Sequence, residues 1–299
     1  MGAIHKVEGR NDMSSWMAFS PQELIDSFGE PLRKDPSPYA YETWIYADRT
    51  CYTQFGLTDV GIQMVYMTGE DTCHPILGKS FDDVSKRYDI VQTIRVENGS
   101  SEYHFHLTEE EIRERPLIAL GEHLFMQLYF DIHEDNLLAL RLLTLDVILE
   151  HIPYKIEYRG HFPEQRVISK EKWERIAYGV EQQIFELTNL MRRLFHKPRL
   201  EWENKVHEIA LMHSHDMNEK KYFSHVSPDG KDLQDRLTMH GIHYEVAGEN
   251  IAAKFPDAPA AMIGWLNSLG HREALLAEEF THIGVGVSQT YYTQNYIKQ

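Results

Sequence analysis

Three short motifs in the last third of the chain carry residues able to do chemistry: YFSHVSPDG at 222–230, GENIA at 248–252 and WLNSLGHR at 265–272. They supply His225, Glu249 and His271, two imidazoles and a carboxylate. Two neutral imidazoles ligate zinc at ~2.0–2.1 Å, and two protein ligands leave the ion with open positions. His225 and His271 are therefore the candidate metal ligands, for Zn2+ or another divalent cation. Glu249 has three roles open to it: a third ligand, an orienter of an imidazole N–H, or a general base on a metal-bound water. A hydrolase would need such a base. No GxSxG, HExxH or cysteine nucleophile accompanies the motifs, and Ser224 and Ser227 flank His225 only in sequence. The structural alternative is that Glu249 and Asn250 tie a strand to its loops, with the histidines completing a buried polar network.

The elements that must position these groups follow from periodicity. Trp173, Ile176, Ala177, Val180, Ile184, Leu187, Met191 and Leu194 keep helical spacing, which predicts a long helix with one buried face. Val206, Ile209, Ala210, His213 and Met217 share a stripe on a second helix, so His213 faces inward, as a core histidine or as a cleft-lining one. The SPDG segment makes a turn that leaves His225 at the mouth of a loop. KDLQDRLTMHG reads as a short helix ending at Gly241, and GENIA as the start of a strand. A helix from Asp257, stopping at Gly270, delivers His271. FTHIGVGVSQT and YYTQNYI pair as a hairpin.

Ahead of this region, SPQELIDSFGEP predicts a helix with Ser20 as N-cap and Pro21 at its first position. Strand-like runs at 41–47, 51–57 and 61–69 follow. The plan recurs sixty residues on, where SFDDVSKRYDI precedes the runs VQTIRVE, EYHFHLT, EHLFMQLYFDIH and LLALRLLTLDVIL. This predicts a tandem α+β repeat with an antiparallel sheet over 20–152. A single irregular domain with two similar helix starts is the alternative. Residues 1–19 read as a polar lead-in and 153–170 as a linker, leaving 171–299 as the second domain. His104 and His106 share a strand face and read as a solvated pair rather than a ligand pair.

Composition narrows the function. At 299 residues the chain suits about two domains of ~150 residues. With 46 acidic against 30 basic residues its formal charge of −16 repels nucleic acid and anionic headgroups. No apolar run reaches the ~20 residues that span a bilayer. The opening MGAIHKVEGRNDMSS has no apolar core of a secretory leader, so the expectation is an intracellular protein or one whose leader is absent from this sequence. Cys51 and Cys73 either bridge in an oxidising compartment or remain buried thiols.

LTNLMRR at 187, HSHDM at 213, YFSHVSPDG, GENIA, GHR at 270, FTHIGVGV at 280 and YYTQNY at 291 together resemble the bacterial branch of the CAP (SCP-like) superfamily. Residues 20–152 resemble the CAP-associated N-terminal domain that precedes such modules. The resemblance implies an α-β-α sandwich for 171–299, with an open cleft where two histidines and acidic residues can hold a divalent cation. It carries the FSH histidine onto His225, the GEN glutamate onto Glu249 and the GHR histidine onto His271. His213, Asn250 and Ser268 are the further candidates for lining the cleft. A second acidic residue after the helix tryptophan has no match, since Trp265 is followed by Leu266, Asn267 and Ser268. The function implied is an extracellular or cell-envelope binding module, its ligand a small apolar molecule, a cell-wall fragment or a protein partner. A metal-dependent peptidase in the same cleft is the alternative, as is a cytoplasmic location. A further reading makes the N-terminal repeat the part that binds a protein partner.

Overall fold

A computed structural model describes residues 13–164 and 166–299. The chain divides into two compact units, one ending at Val167 and the other spanning Ile168–Gln299. The reading of 1–12 as polar lead-in lies outside the described residues. Met13–Trp16, from the same lead-in, instead forms helix α1 with both terminal residues buried. Trp16 packs edge-on against Phe28 at 5.1 Å between ring centroids, which anchors a turn too short to show periodicity.

In the first unit α2 (Pro21–Phe28) starts on a capping box, Ser20 accepting from the Glu23 amide while the Glu23 carboxylate accepts from the Ser20 amide. Four strands follow, β1 (Arg33–Pro36), β2 (Glu42–Ala47), β3 (Cys51–Thr58) and β4 (Gly61–Gly69). The second half begins with α3 (Phe81–Ser85), also capped by a serine, Ser80. It continues with β5 (Thr93–Asn98), β6 (Ser101–His106), α4 (Glu109–Glu114), β7 (Leu117–Ala119), β8 (Leu124–Asp131), β9 (Asn136–Thr144), α5 (Leu145–His151) and β10 (Lys155–Arg159).

Seven strands form one antiparallel sheet in the order β1-β2-β3-β4-β9-β8-β7. The meander β2–β4 and the meander β7–β9 thus meet at the β4–β9 seam, as a tandem repeat requires. α1, α2 and α3 cover one face, where Trp16, Leu24, Phe55, Val65, Leu128 and Leu140 form the core, while α5 packs on the other, its His151 bonded to the Tyr41 hydroxyl at 2.8 Å. β5, β6 and β10 make a separate antiparallel sheet in the order β10-β6-β5. Two readings are corrected here. LLALRLLTLDVIL is not one strand: Thr144 leaves β9 with extended backbone, and Leu145–His151 turns helical. The linker 153–170 contains β10, which pairs with β6 along its whole length.

Cys51 and Cys73 form a disulfide, their Cα atoms 5.6 Å apart. Gly69 makes room for it. Its φ of +145° is left-handed-side backbone, and a Cβ there would lie 2.2 Å from the Thr50 carbonyl oxygen and 2.7 Å from the Cys73 sulfur.

The second unit runs α6 (Lys170–Leu194), β11 (Glu201–Trp202), α7 (Asn204–Lys220), α8 (Leu233–Met239), β12 (Val246–Ala253), α9 (Ala258–Asn267), α10 (Leu269–Leu276), β13 (His282–Ser288) and β14 (Tyr291–Lys298). Its sheet has the order β11-β13-β14-β12, antiparallel except for β11. On one face α7 lies on Gly284 and Gly286, where a Cβ would meet helix backbone at 2.1 and 2.0 Å. On the other, Gln294 donates to the Thr188 hydroxyl of α6 at 2.8 Å. The result is the α-β-α sandwich, with β12 at one edge. The helix begun at Asp257 ends at Asn267, short of Gly270, because Ser268 turns extended before α10 starts. His271 therefore sits on the first turn of a separate helix.

Candidate functional site

The site gathers at the β12 edge. Glu249 is the fourth residue of β12 rather than its first, opposite Asn295 of β14. Its carboxylate is buried, 4% exposed, and both oxygens are engaged. Oε1 pairs with His225 Nδ1 at 2.9 Å and Oε2 accepts from Arg236 Nη2 at 2.6 Å. Arg236, on α8, also donates Nη1 to the backbone oxygens of His225 (3.1 Å) and Lys231 (3.2 Å). One guanidinium thus ties the carboxylate to the loop that carries His225. Its planar fork suits this multiple role where an ammonium would not.

The His225 loop is built by Ser227, whose amide donates to the Lys231 oxygen and whose oxygen accepts from the Gly230 amide. With Nδ1 held by Glu249, Nε2 is the nitrogen left to a ligand. His271 approaches from α10 with its ring centroid 6.4 Å from that of His225. Its Nδ1 bonds the Ser268 hydroxyl at 2.9 Å, again leaving Nε2. Burial, reinforced by the neighbouring His225, holds the His271 pKa below the ordinary histidine value, which keeps the ring neutral and ligand-ready.

His213 is fully inside, its Nε2 bonded to the Ser224 oxygen at 3.1 Å, and burial depresses its pKa. It props the loop behind His225. Asn250 is 0% exposed and lies on the other face of the sheet, donating Nδ2 to the His271 oxygen at 3.0 Å. The sequence-based set thus splits. His225, Glu249 and His271 converge, Ser268 orients His271, and His213 and Asn250 support from beneath. Arg236 escaped sequence reading, although its position between Leu233 and Leu237 on the inward stripe of α8 marks it as a charge that must find a buried partner.

Two imidazoles on one tetrahedral ion with bonds of ~2.0–2.1 Å bring ring centroids about 5 Å apart, so the two rings, 6.4 Å apart, would have to close by about 1 Å to share one. Among the described residues no group of three or more His, Cys, Asp or Glu is placed to hold a metal. Each oxygen of Glu249 has one partner, His225 on Oε1 and Arg236 on Oε2, an arrangement that orients the imidazole.

Residues 19–154 match the CAP-associated N-terminal family and residues 185–298 the cysteine-rich secretory protein (CAP) family. A Bacillus subtilis (strain 168) protein, YlbC, named as an uncharacterized membrane protein, is 39% identical over 288 residues, 95% of this chain and 83% of its own length. The crystal structure of an extracellular protein containing an SCP domain from Bacillus anthracis str. Ames is 36% identical with a TM-score of 0.91, over 98% of this chain and 97% of that one. A cysteine-rich secretory protein from Staphylococcus aureus subsp. aureus Mu50 shares the fold at 22% identity, TM-score 0.84, over 96% and 93% of the two chains. The chain belongs to the bacterial CAP family, in the branch that sets a CAP-associated N-terminal unit before the CAP unit.

Proposed function

We propose that the CAP unit is a ligand-binding or interaction module of the cell surface or the secreted fraction, and that its cleft holds a divalent cation between His225 and His271. The observation behind this reading is the state of Glu249: 4% exposed, with His225 on one oxygen and Arg236 on the other, it is held as an orienting group away from bulk water. A binding site needs that rigidity, whereas a general base needs access to a proton. The flanking side chains favour an apolar or cell-wall-derived ligand or a protein partner, since Phe223, Val226 and Leu269, next to the two histidines in the chain, are 54%, 45% and 63% exposed.

The envelope location draws on the Cys51–Cys73 bridge and on the extracellular relative. The name of YlbC points to a membrane, yet no helix among the described residues is long and apolar enough to cross one. A hydrolase remains the second reading, because His225 with Glu249 has the form of a base and its orienter.

The test is a calorimetric zinc titration of the full chain near neutral pH, repeated with His225→Ala and His271→Ala. A binding event lost in both variants, and weakened below about pH 6 as imidazoles protonate, supports the cleft site. Binding indifferent to both substitutions overturns it. Turnover of a casein substrate that disappears in Glu249→Gln would replace the binding module with the hydrolase.

A further inference from the structure

β12 is an edge strand of the CAP sheet, and its pairing shows which of its backbone groups are already used. Lys254, just beyond the strand, donates its amide at 2.9 Å to the oxygen of Thr290, directly opposite. In an antiparallel pair such residues alternate with ones whose amide and carbonyl turn away from the partner. Gly248, Asn250 and Ala252 therefore face β14, while Ala247, Glu249 and Ile251 present their backbone groups to the outer side. Ile251 follows this pattern, its oxygen accepting from Trp265 Nε1 at 3.0 Å.

The opposite edge of the sheet is closed by side chains. On β13 the Val285 oxygen accepts from His207 Nδ1 at 2.6 Å, and the Val287 amide donates to Glu181 at 3.0 Å. At Ala247 and Glu249 the outward amides and carbonyls have no such partner among the described residues. Water reaches them. The Glu249 side chain is 4% exposed while the residue as a whole is only partly buried, so its exposed part is main chain.

Two amides and two carbonyls at strand spacing match one chemistry, the backbone of another extended chain. α8 and α10 stand on either side of this edge, Arg236 meeting Glu249 on one face and the His271 oxygen meeting Asn250 on the other. Apolar side chains stay exposed on the flanking elements: Met239 at the end of α8 (63%), Val246 at the head of β12 (37%) and Leu269 at the start of α10 (63%). Side chains of an added strand alternate between the two faces and meet apolar surface on both. A second copy of this chain brings a further formal charge of −16 to the edge, so the fitting partner is a neutral or basic segment of another protein.

Resting on the reading of the CAP unit as an interaction module, we infer that the outer edge of β12 from Ala247 to Glu249 takes up an extended polypeptide segment as an added strand of the sheet. The segment is neutral or basic and carries apolar side chains. Main-chain hydrogen bonds to Ala247 and Glu249 hold it, and its end nearest Glu249 lies beside His225.

The probe is a phage-displayed library of random dodecapeptides panned on the full chain, the selected sequences being synthesised with a fluorescent label and titrated by fluorescence polarisation. Backbone N-methylation at every second peptide residue is expected to weaken binding roughly tenfold, and at the residues between to leave it unchanged, because alternate amides point to β12. Ala247→Pro deletes one outward amide without touching a bond to β14, a change that an edge strand tolerates, and should also cost roughly tenfold in affinity. Ala247→Ser keeps the amide and should bind as the parent does. Far-UV circular dichroism checks that each variant folds. Failure to select any peptide, or affinity indifferent to N-methylation and to Ala247→Pro, overturns the added-strand site; zinc uptake by the same chain then still stands for the cleft. A dimer in analytical ultracentrifugation that Ala247→Pro abolishes overturns it in favour of a second copy. Binding that follows the N-methylation pattern and ends in cleavage of the peptide upholds the added strand and replaces the interaction module with the hydrolase.

Discussion

Glu249 and Asn250 are neighbours in the chain, yet their side chains leave β12 on opposite faces of the sheet. Glu249 meets Arg236 and His225 on one face, and Asn250 holds the His271 backbone on the other. The alternation of a strand is therefore what brings the two histidines to one edge from two different layers. Two adjacent residues serve two walls of the same cleft.

Arg236 is the group on which this arrangement depends. Replacing it with Met removes the partner of a carboxylate that is 4% exposed, and unpairing a buried ion pair costs about 3–5 kcal/mol. Urea unfolding of Arg236→Met should lose stability in that range, while the double variant Arg236→Met/Glu249→Gln recovers part of it. Equal losses in the two would show that the guanidinium acts through its backbone contacts alone.

Glu181 makes stability pH-dependent in an unusual direction. The side chain of this α6 residue is buried against β13, where it accepts from the Val287 amide at 3.0 Å, with His207 Nδ1 3.9 Å away. Burial pushes its carboxyl up from 4.5 to about 8. The folded state thus binds a proton that the unfolded chain has already lost. Stability falls as pH rises from about 5 to 8, at a slope on the order of 1 kcal/mol per pH unit, and levels off above. Glu181→Gln keeps the acceptor for Val287 and should flatten this slope in pH-resolved chemical denaturation. A slope that persists in the variant would assign it to other groups.

Gly286 is the point of closest approach between β13 and α7. Alanine there places a methyl group 2.0 Å from the Leu211 nitrogen, against backbone that cannot rotate away. Overpacking of this kind costs about 1–3 kcal/mol and occasionally more, so Gly286→Ala should lower the melting temperature of the CAP unit while the same change at exposed Gly270 leaves it unaltered. Calorimetric scans of both variants check this.

Much of the C-terminal unit was legible because its helices keep strict apolar spacing and its turns carry Gly and Pro. The long helix from Trp173 and the hairpin around Ser288 follow directly from that pattern. The errors have physical causes. In LLALRLLTLDVIL a buried strand and a buried helix read alike, since both are mostly apolar, broken only by Arg141, Thr144 and Asp146, and the change of backbone at Thr144 separates them. β10 is exposed along most of its length and offers no alternation to detect. At the site, His225, Glu249 and His271 were found by motif. Arg236 was not, because its partners lie in other segments that only the fold assembles.

The Cys51–Cys73 bridge closes a stretch of 22 residues spanning the whole β3–β4 hairpin. Where a compartment keeps thiols reduced, the same chain must hold its Gly69 corner by packing alone, giving up roughly 3 kcal/mol. The oxidation state of these two sulfurs thus keeps a chemical memory of the place where the chain folds, readable by thiol labelling of protein taken straight from the cell.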